Sequence, residues 1–466
     1  MGRGATASLT RIPGRLREDD PVTLANDLQT LVARNQHEQR IPSLTAALLD
    51  GGRVVASASA GSVDGRRDGV PAEAGTQYRI GSISKTFTAA LVLRLRDEGA
   101  LTLDDPLERH VPGTAIGHVT LAQLLSHTAG LRAETDAPWW ERTAGYPFEQ
   151  LVPQLRLVLP PGQQHHYSNV GFGVLAEVVA RHRGLSWDES VRRELLEPLG
   201  LTRTTARPAA PHAHGLARHP HADLLLPEPE HHHGSMAAAG QLWSTVADLA
   251  VWGEFLRSGH PDVLAAGTLA EMRRPRGLHD LPGVAWGSAH GLGLEVFNVG
   301  GRRRTGHGGS MPGFLAGLQV DVESGFGVVT LTNTTSGMSP TLLPSLWRLV
   351  EEHLPPVAEP WYADETQVDR LDLTGTWYWG PAPYQLSLLA DGWLDLSPVG
   401  RGRASRFRPD VQGRWTGTSG YFDGETLAVV RRDGVPHHLD LASFRFTRTP
   451  YDPEADLPGG VTGSWG

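Results

Sequence analysis

A serine hydroxyl stands three residues before a lysine in Ser82-Ile83-Ser84-Lys85, and that lysine is the chain's only one against 41 arginines. Arginine stays protonated in a protein, whereas burial can strip an ammonium of its proton and leave a base. Residues i and i+3 share a helix face, so a helical segment here brings Ser82 Oγ and Lys85 Nζ within hydrogen-bonding reach. A helix N-terminus disfavours a nearby cation, and Phe87 adds apolar cover; both effects push Lys85 toward the neutral amine. The same N-terminus offers unpaired backbone N–H groups for an oxyanion. The chemistry implied is attack of an activated serine on an acyl group.

Holding such a pair takes a helix, and the pattern supplies one. From Ser82 to Glu98 the residues Phe87, Ala90, Leu91, Leu93 and Leu95 make a largely apolar helix that stops near Gly99. Upstream, Val22 to Asn35 has helical spacing, and Leu44–Leu49, Asp50-Gly51-Gly52 and Val54-Val55 read as a hairpin. The spacing predicts further helices over 120–126, 148–158, 169–182, 187–196, 241–257 and 340–353. Strand patterns run through 292–297, 315–322 and 326–332, and 205–240 is a Pro- and His-rich excursion. An antiparallel sheet with a helical block packed on it, an α+β fold, accommodates this order.

Past this unit the pattern changes. Residues 351–370 hold Pro355, Pro356 and Pro360 among charges and read as a linker. From Leu371 the chain alternates with period two, as in Gln385–Leu389, Glu425–Val430 and His438–Leu441, with turns at Asp391-Gly392 and Asp433-Gly434. We expect a flexible 1–21, a catalytic domain over 22–350, a linker over 351–370 and a small all-β, lipocalin-like barrel over 371–466. As a structural support, the barrel would hold Trp377 and Trp379 in its core. The barrel would either bind a small ligand, cap a pocket, or act as a support.

Composition excludes several classes. With no cysteine there are no disulfides, thiolate metal sites or cysteine nucleophiles. A net charge of −9 without a basic stripe argues against nucleic acid as a partner. No apolar run is long enough to span a bilayer or form a signal-peptide core, so a cytoplasmic protein is expected.

The segment Arg79-Ile80-Gly81-Ser82-Ile83-Ser84-Lys85-Thr86-Phe87-Thr88 resembles the nucleophile motif of penicillin-recognising serine enzymes. These are the class C β-lactamases, D,D-peptidases, D-aminopeptidases and related esterases. Tyr167-Ser168-Asn169 resembles their second motif and Gly306-His307-Gly308-Gly309-Ser310 their third, on the innermost strand. Leu124–Leu131 and Gly240–Thr245 also resemble segments usual in these proteins, and the likeness runs from about residue 22 to 350.

The resemblance implies roles. Ser82 would form the acyl-enzyme, and Lys85 with Tyr167 would shuttle protons, the tyrosine ionising more easily beside a cation. Asn169 would orient Lys85 or hold a substrate amide. The N–H groups of Ser82 and Ser310 would form the oxyanion hole, with Gly308 and Gly309 along the substrate. His307 stands where many relatives have lysine; it would donate to a substrate carboxylate or to Tyr167 as a neutral or partly charged ring. That weakens the anchor for a β-lactam or a D-Ala-D-Ala terminus and favours esterase- or D-aminopeptidase-like activity. His127 would fix a loop through hydrogen bonds, and Trp139-Trp140 would roof a pocket or pack on the helices.

The expected function is a serine hydrolase or acyl-transferase acting on a small or short-peptide ester, amide or thioester, without cofactor. Two other readings stand beside it. One is a stand-alone penicillin-binding-protein-type thioesterase that cyclises or releases a non-ribosomal peptide. The other is a non-catalytic, ligand-binding relative. His212, His214, His219, His221, His231, His232 and His233 lack the spacing of a catalytic metal centre and read as adventitious nickel or zinc binders.

Overall fold

A computed structural model describes residues 5–9, 20–136, 142–278, 282–354, 365–389, 392–409, 414–418 and 420–452, with a few isolated positions besides. The chain divides into two compact units, Met1–Val357 and Ala358–Gly466.

The first unit is built on one antiparallel sheet. Its strands in chain order are β1 (Ala5–Leu9), β2 (Ser43–Asp50), β3 (Arg53–Gly61), β4 (Gly277–Leu278) and β5 (Ser288–His290). They continue as β6 (Glu295–Val299), β7 (Arg302–Met311), β8 (Phe314–Asp321) and β9 (Phe326–Thr332). The spatial order is β1-β3-β2-β9-β8-β7-β6-β5-β4. Gly51 and Gly52 make the β2–β3 turn, as the sequence suggests.

Both faces of the sheet are covered. On one side lie helices α1 (Asp20–Glu38) and α5 (Leu342–His353), whose Leu24, Leu28, Val32, Leu346 and Trp347 pack on Leu44, Leu48 and Val328. The other side carries the larger core, with α2 (Ser84–Asp97), α3 (Asn169–Arg183) and α4 (Val246–Ser258). Every residue of α2 from Ser84 to Leu93 is buried, which explains why this stretch is apolar or small apart from Lys85. Phe87 stacks on Trp252 of α4 with ring centroids 3.6 Å apart, and Trp252 Nε1 donates to Thr86 Oγ1 at 2.8 Å. The first ten residues of α2 are thus enclosed by packing. Among the described residues no helix is long and apolar enough to cross a membrane.

The segment expected to be helical over 148–158 is shorter: Phe148–Leu151 is α-helical and Val152–Gln154 a 3₁₀ turn, where Pro153 removes a backbone donor. The second unit is a closed, eight-stranded antiparallel barrel running from Gly375–Trp379 to Phe444–Thr447. Trp377, Leu386, Phe407, Leu427, Leu439 and Phe446 fill it. Trp379 corrects the sequence reading: it ends its strand, is 44% exposed, and packs on Phe444 at 5.1 Å outside the buried cluster.

Candidate active site

Ser82 occupies a 3₁₀ turn, Gly81–Ile83, immediately before α2. The turn is held by Ile80 N–H donating to the Leu242 carbonyl and by Leu242 N–H donating to Ser84 Oγ. Lys85, wholly buried, donates to Ser82 Oγ at 2.9 Å and to the Ala239 carbonyl at 2.7 Å. Burial lowers its pKa to about 7, with the Glu134 carboxylate opposing the shift. A free lysine at pH 7 is neutral in only about one molecule in a few thousand, whereas Lys85 is neutral in about half.

Tyr167 lies beside this pair, its ring centroid 5.0 Å from Lys85 Nζ. Its phenol is pushed up, not down: burial dominates, the hydrogen bond to Ser82 opposes it, and the Glu295 and Glu134 charges add to the rise. The expected easing of ionisation by the lysine is not seen: desolvation leads, and what opposes it is the Ser82 hydrogen bond. Tyr167 is a neutral phenol at pH 7.

Strand parity decides which backbone groups face the cleft. Val299 pairs with Arg302 across the two-residue turn Gly300-Gly301, whose φ values of 58° and 82° suit the type I′ geometry of hairpins. Such a turn makes Val299 and Arg302 a hydrogen-bonded pair, so even-numbered residues of β7 turn their peptide groups toward β6. β6 begins at Glu295, opposite Gly306. Beyond that point the peptide groups of Gly308 and Ser310 face the open edge. Consistently, the Glu295 carboxylate accepts the Gly308 N–H.

Gly309 and Gly81 serve a different end. A Cβ on Gly309 would fall 2.0 Å from the Ile80 carbonyl oxygen, and one on Gly81 (φ 52°) 2.5 Å from Ser310 N. The absence of both side chains lets the Ser82 turn lie against β7. Gly308, by contrast, faces open space.

His307 is 4% exposed, and its Nδ1 lies 2.5 Å from the Gly308 carbonyl oxygen. A carbonyl only accepts, so Nδ1 carries the proton and Nε2 is an acceptor. Burial and the Lys85 charge lower its pKa to about 4, with the Gly308 carbonyl opposing. The ring is neutral at pH 7, so Nε2 does not donate to a substrate carboxylate as the sequence reading allowed.

Asn169 begins α3 behind the N-cap Ser168, whose Oγ accepts from Gly171 N–H. Its Nδ2 donates to Glu134 Oε1 at 2.6 Å. The hydrogen bonds of Lys85 go instead to Ser82 and Ala239. His127 fixes the approach to Tyr167, as expected: its Nδ1 accepts from Ser168 N–H at 3.1 Å and its ring stacks 4.2 Å from the phenol. Trp139 and Trp140 lie outside the described residues.

Sequence reasoning missed four neighbours. His165 and His290 stack 4.8 Å apart, and His290 also meets Tyr167, His127 and His307 edge-on at 5.6, 4.9 and 5.7 Å. Burial holds His127 and His290 well below the ordinary imidazole range. Glu134 and Glu295 complete the set; burial raises Glu295, while Gly308 N–H and Ser288 oppose the rise. His165 stands two residues before Tyr167 and His290 five before Glu295, but none of the four belongs to a motif of its own.

The profile described as beta-lactamase matches residues 28–351, and one described as a domain of unknown function (DUF7586) matches residues 366–448. Beta-lactamase-like protein 2 of Dictyostelium discoideum is 25% identical over 282 residues, 56% of this chain but only 51% of that protein. Penicillin-binding protein 4 of Amycolatopsis lactamdurans is 28% identical over 371 residues, covering 73% of this chain and 94% of that one. Among solved structures, the octameric penicillin-binding protein homologue from Pyrococcus abyssi aligns with TM-score 0.61 at 22% identity, over 90% of this chain and 99% of that one. A D-amino acid amidase from Ochrobactrum anthropi SV3, complexed with L-phenylalanine amide, aligns with TM-score 0.59 at 22% identity, over 70% and 97%. At these identities the two structures speak to fold.

Proposed function

Because the chain belongs to the beta-lactamase family, we propose that it is a serine hydrolase or acyl-transferase that opens a small amide or ester through an acyl-enzyme on Ser82. The observation that carries this is the 2.9 Å hydrogen bond between Ser82 and a buried Lys85 whose pKa is lowered to about 7.

In the first step Ser82 Oγ attacks the acyl carbon, and its proton passes to the neutral amine of Lys85. The N–H groups of Ser82 and Ser310 hold the oxyanion. As the tetrahedral intermediate collapses, the protonated Lys85 supplies the leaving group's proton through the Tyr167 hydroxyl, which stays neutral between transfers. A water, or another acceptor, then attacks the acyl carbon, gives its proton to the same pair, and restores Ser82. His127 and His290 hold the phenol ring in place. His307 Nε2 accepts a hydrogen bond from the substrate or from Tyr167.

The charges favour a particular substrate. The third-motif position holds a neutral imidazole, so nothing there anchors a carboxylate as a fixed cation would. The carboxylates of Glu134 and Glu295 act on the Tyr167 side instead. An acyl donor with an uncharged amide or ester end and a free ammonium, such as an amino acid amide, suits this balance better than a β-lactam.

Intact-mass measurement after a fluorophosphonate or a p-nitrophenyl ester tests the nucleophile. One adduct in the wild type and none in Ser82→Ala is expected; equal labelling of both, or of neither, refutes it. A panel of amino acid amides of both hands, carboxylate-terminated D-Ala-D-Ala, nitrocefin and a peptidyl thioester then ranks the acyl donors, with the amides expected first.

A further inference from the structure

Folding sorts the histidines of the Pro-rich excursion into different surroundings. His219 and His221 face each other at an exposed turn with ring centroids 6.1 Å apart, and His233 is buried. His212 and His214 meet an acid. They sit at i and i+2 of an extended stretch, which puts both rings on one side, and their centroids are 5.4 Å apart. Glu230 returns to them from the far strand of the two-stranded ribbon Leu216–Arg218/Leu225–Pro227, with Oε1 4.0 Å from His212 Nε2. One ligand atom from each of the three residues lies within 4.8 Å of the others.

From this cluster we infer a divalent-metal site, suited to zinc, formed by His212, His214 and Glu230. Two imidazoles and a carboxylate are a donor set that zinc accepts at about 2.0–2.2 Å, with water as the fourth ligand. The backbone beneath the site is already fixed. Gln77 N–H donates to the Pro211 carbonyl, Ala213 N–H to Gln77, and His214 N–H to Val63. Asn333 Nδ2 donates to the His214 carbonyl at 3.1 Å, and Glu228 N–H to Gly215. Only side-chain rotation is needed to close the ligand set, and His214 and Glu230 are exposed and free to swing. His212 Nδ1 is buried with no hydrogen-bond partner, so a ring rotation that offers either nitrogen to the ion breaks no hydrogen bond at Nδ1.

The site is remote from catalysis in chemistry but close to its scaffold. The His212 ring meets Trp243 edge-on at 5.8 Å, and Trp243 pairs with Arg79, three residues ahead of Ser82. The ion would clasp the two ends of the ribbon excursion and anchor it beside that strand, a structural crosslink rather than a cofactor. Such a site differs from the adventitious surface binding expected of exposed histidines, because it uses only these two and needs Glu230.

Calorimetric titration with zinc chloride of the full chain, stripped by chelator and with any affinity tag removed, tests this. The expected result is one equivalent bound at about 1 µM or tighter, with a melting temperature that rises by a few degrees on saturation. His214→Ala and Glu230→Gln, both at exposed positions, should each weaken binding at least tenfold and abolish the thermal shift. His219→Ala/His221→Ala and His165→Ala should leave both unchanged. Absence of zinc binding at this strength, equal binding in Glu230→Gln, or loss of binding in His165→Ala or the His219/His221 double variant overturns the site.

Discussion

The catalytic cleft and the barrel interior both bury polar groups, with opposite outcomes. In the barrel, Arg445 and Asp440 are buried together and joined by two hydrogen bonds, of 2.8 and 3.2 Å, while Trp377, Leu386, Phe407 and Phe446 fill the rest. In the cleft, the hydrogen bonds of Lys85 go to a hydroxyl and a carbonyl. Nε2 of His127, His290 and His307 and Oδ1 of Asn169 are buried without hydrogen-bond partners. A satisfied pair fixes structure, whereas buried groups with spare hydrogen-bonding capacity are costly and persist where a ligand uses them. The contrast separates a pair satisfied within the barrel from a cluster around Lys85 and Tyr167 that has hydrogen-bonding capacity to spare.

The comparison can be broken at either end. Lys85→Arg keeps the charge but cannot supply a base at neutral pH, so ester acylation should fall by about 10³-fold or more. Lys85→Met should do the same while leaving the melting temperature unchanged or raised, because it removes a desolvated amine. Stopped-flow release of p-nitrophenol with a parallel thermal scan checks both; a large loss of stability in Lys85→Met would place the lysine among structural groups. In the barrel, Arg445→Met leaves the Asp440 carboxylate with His438 Nε2, 3.4 Å away, in place of the guanidinium, and should cost about 3–5 kcal/mol of that unit's stability with acylation unaffected. Denaturant unfolding beside the same kinetic assay reads this, and a neutral effect would erase the contrast.

A smaller effect sharpens the cleft itself. Glu295→Gln removes a carboxylate whose charge Tyr167 senses, yet keeps an amide oxygen for Gly308 N–H. KM for an amino acid amide should rise about tenfold, while its N-acetylated ester counterpart changes little. Equal changes for both substrates would make Glu295 a support for β7 rather than a reader of charge.

How much of this was legible depended on whether the information was local. Ser82 and Lys85 share one turn, and Tyr167 and Asn169 fall within three residues, so each pair forms a short local motif that the resemblance to a known family could single out. The sequence reading assigned Gly308 and Gly309 one duty along the substrate; the pairing across Gly300-Gly301 and the approach of Ile80 to Gly309 are what separate them. Glu134, His165, His290 and Glu295 were not legible, since each is a single polar residue until the fold brings the 134 loop and the 290–295 hairpin to Tyr167. The ionisation of Tyr167 was misjudged because burial, which has no sequence spacing, sets the direction of its shift. Trp379 was misplaced because alternation assigns a face but not a position along the barrel axis, and this residue lies at a strand end.

The central claim is that a neutral Lys85 takes the Ser82 proton, and the pH dependence of the acylation burst tests it most directly. With a substrate that does not itself titrate, the rate should rise about tenfold per pH unit below the Lys85 pKa, bend near pH 7 and stay level up to about pH 9. The bend should vanish with the burst in Lys85→Arg. A rate that is flat from pH 5 to 9, or that bends only near the ordinary lysine value, would contradict the account.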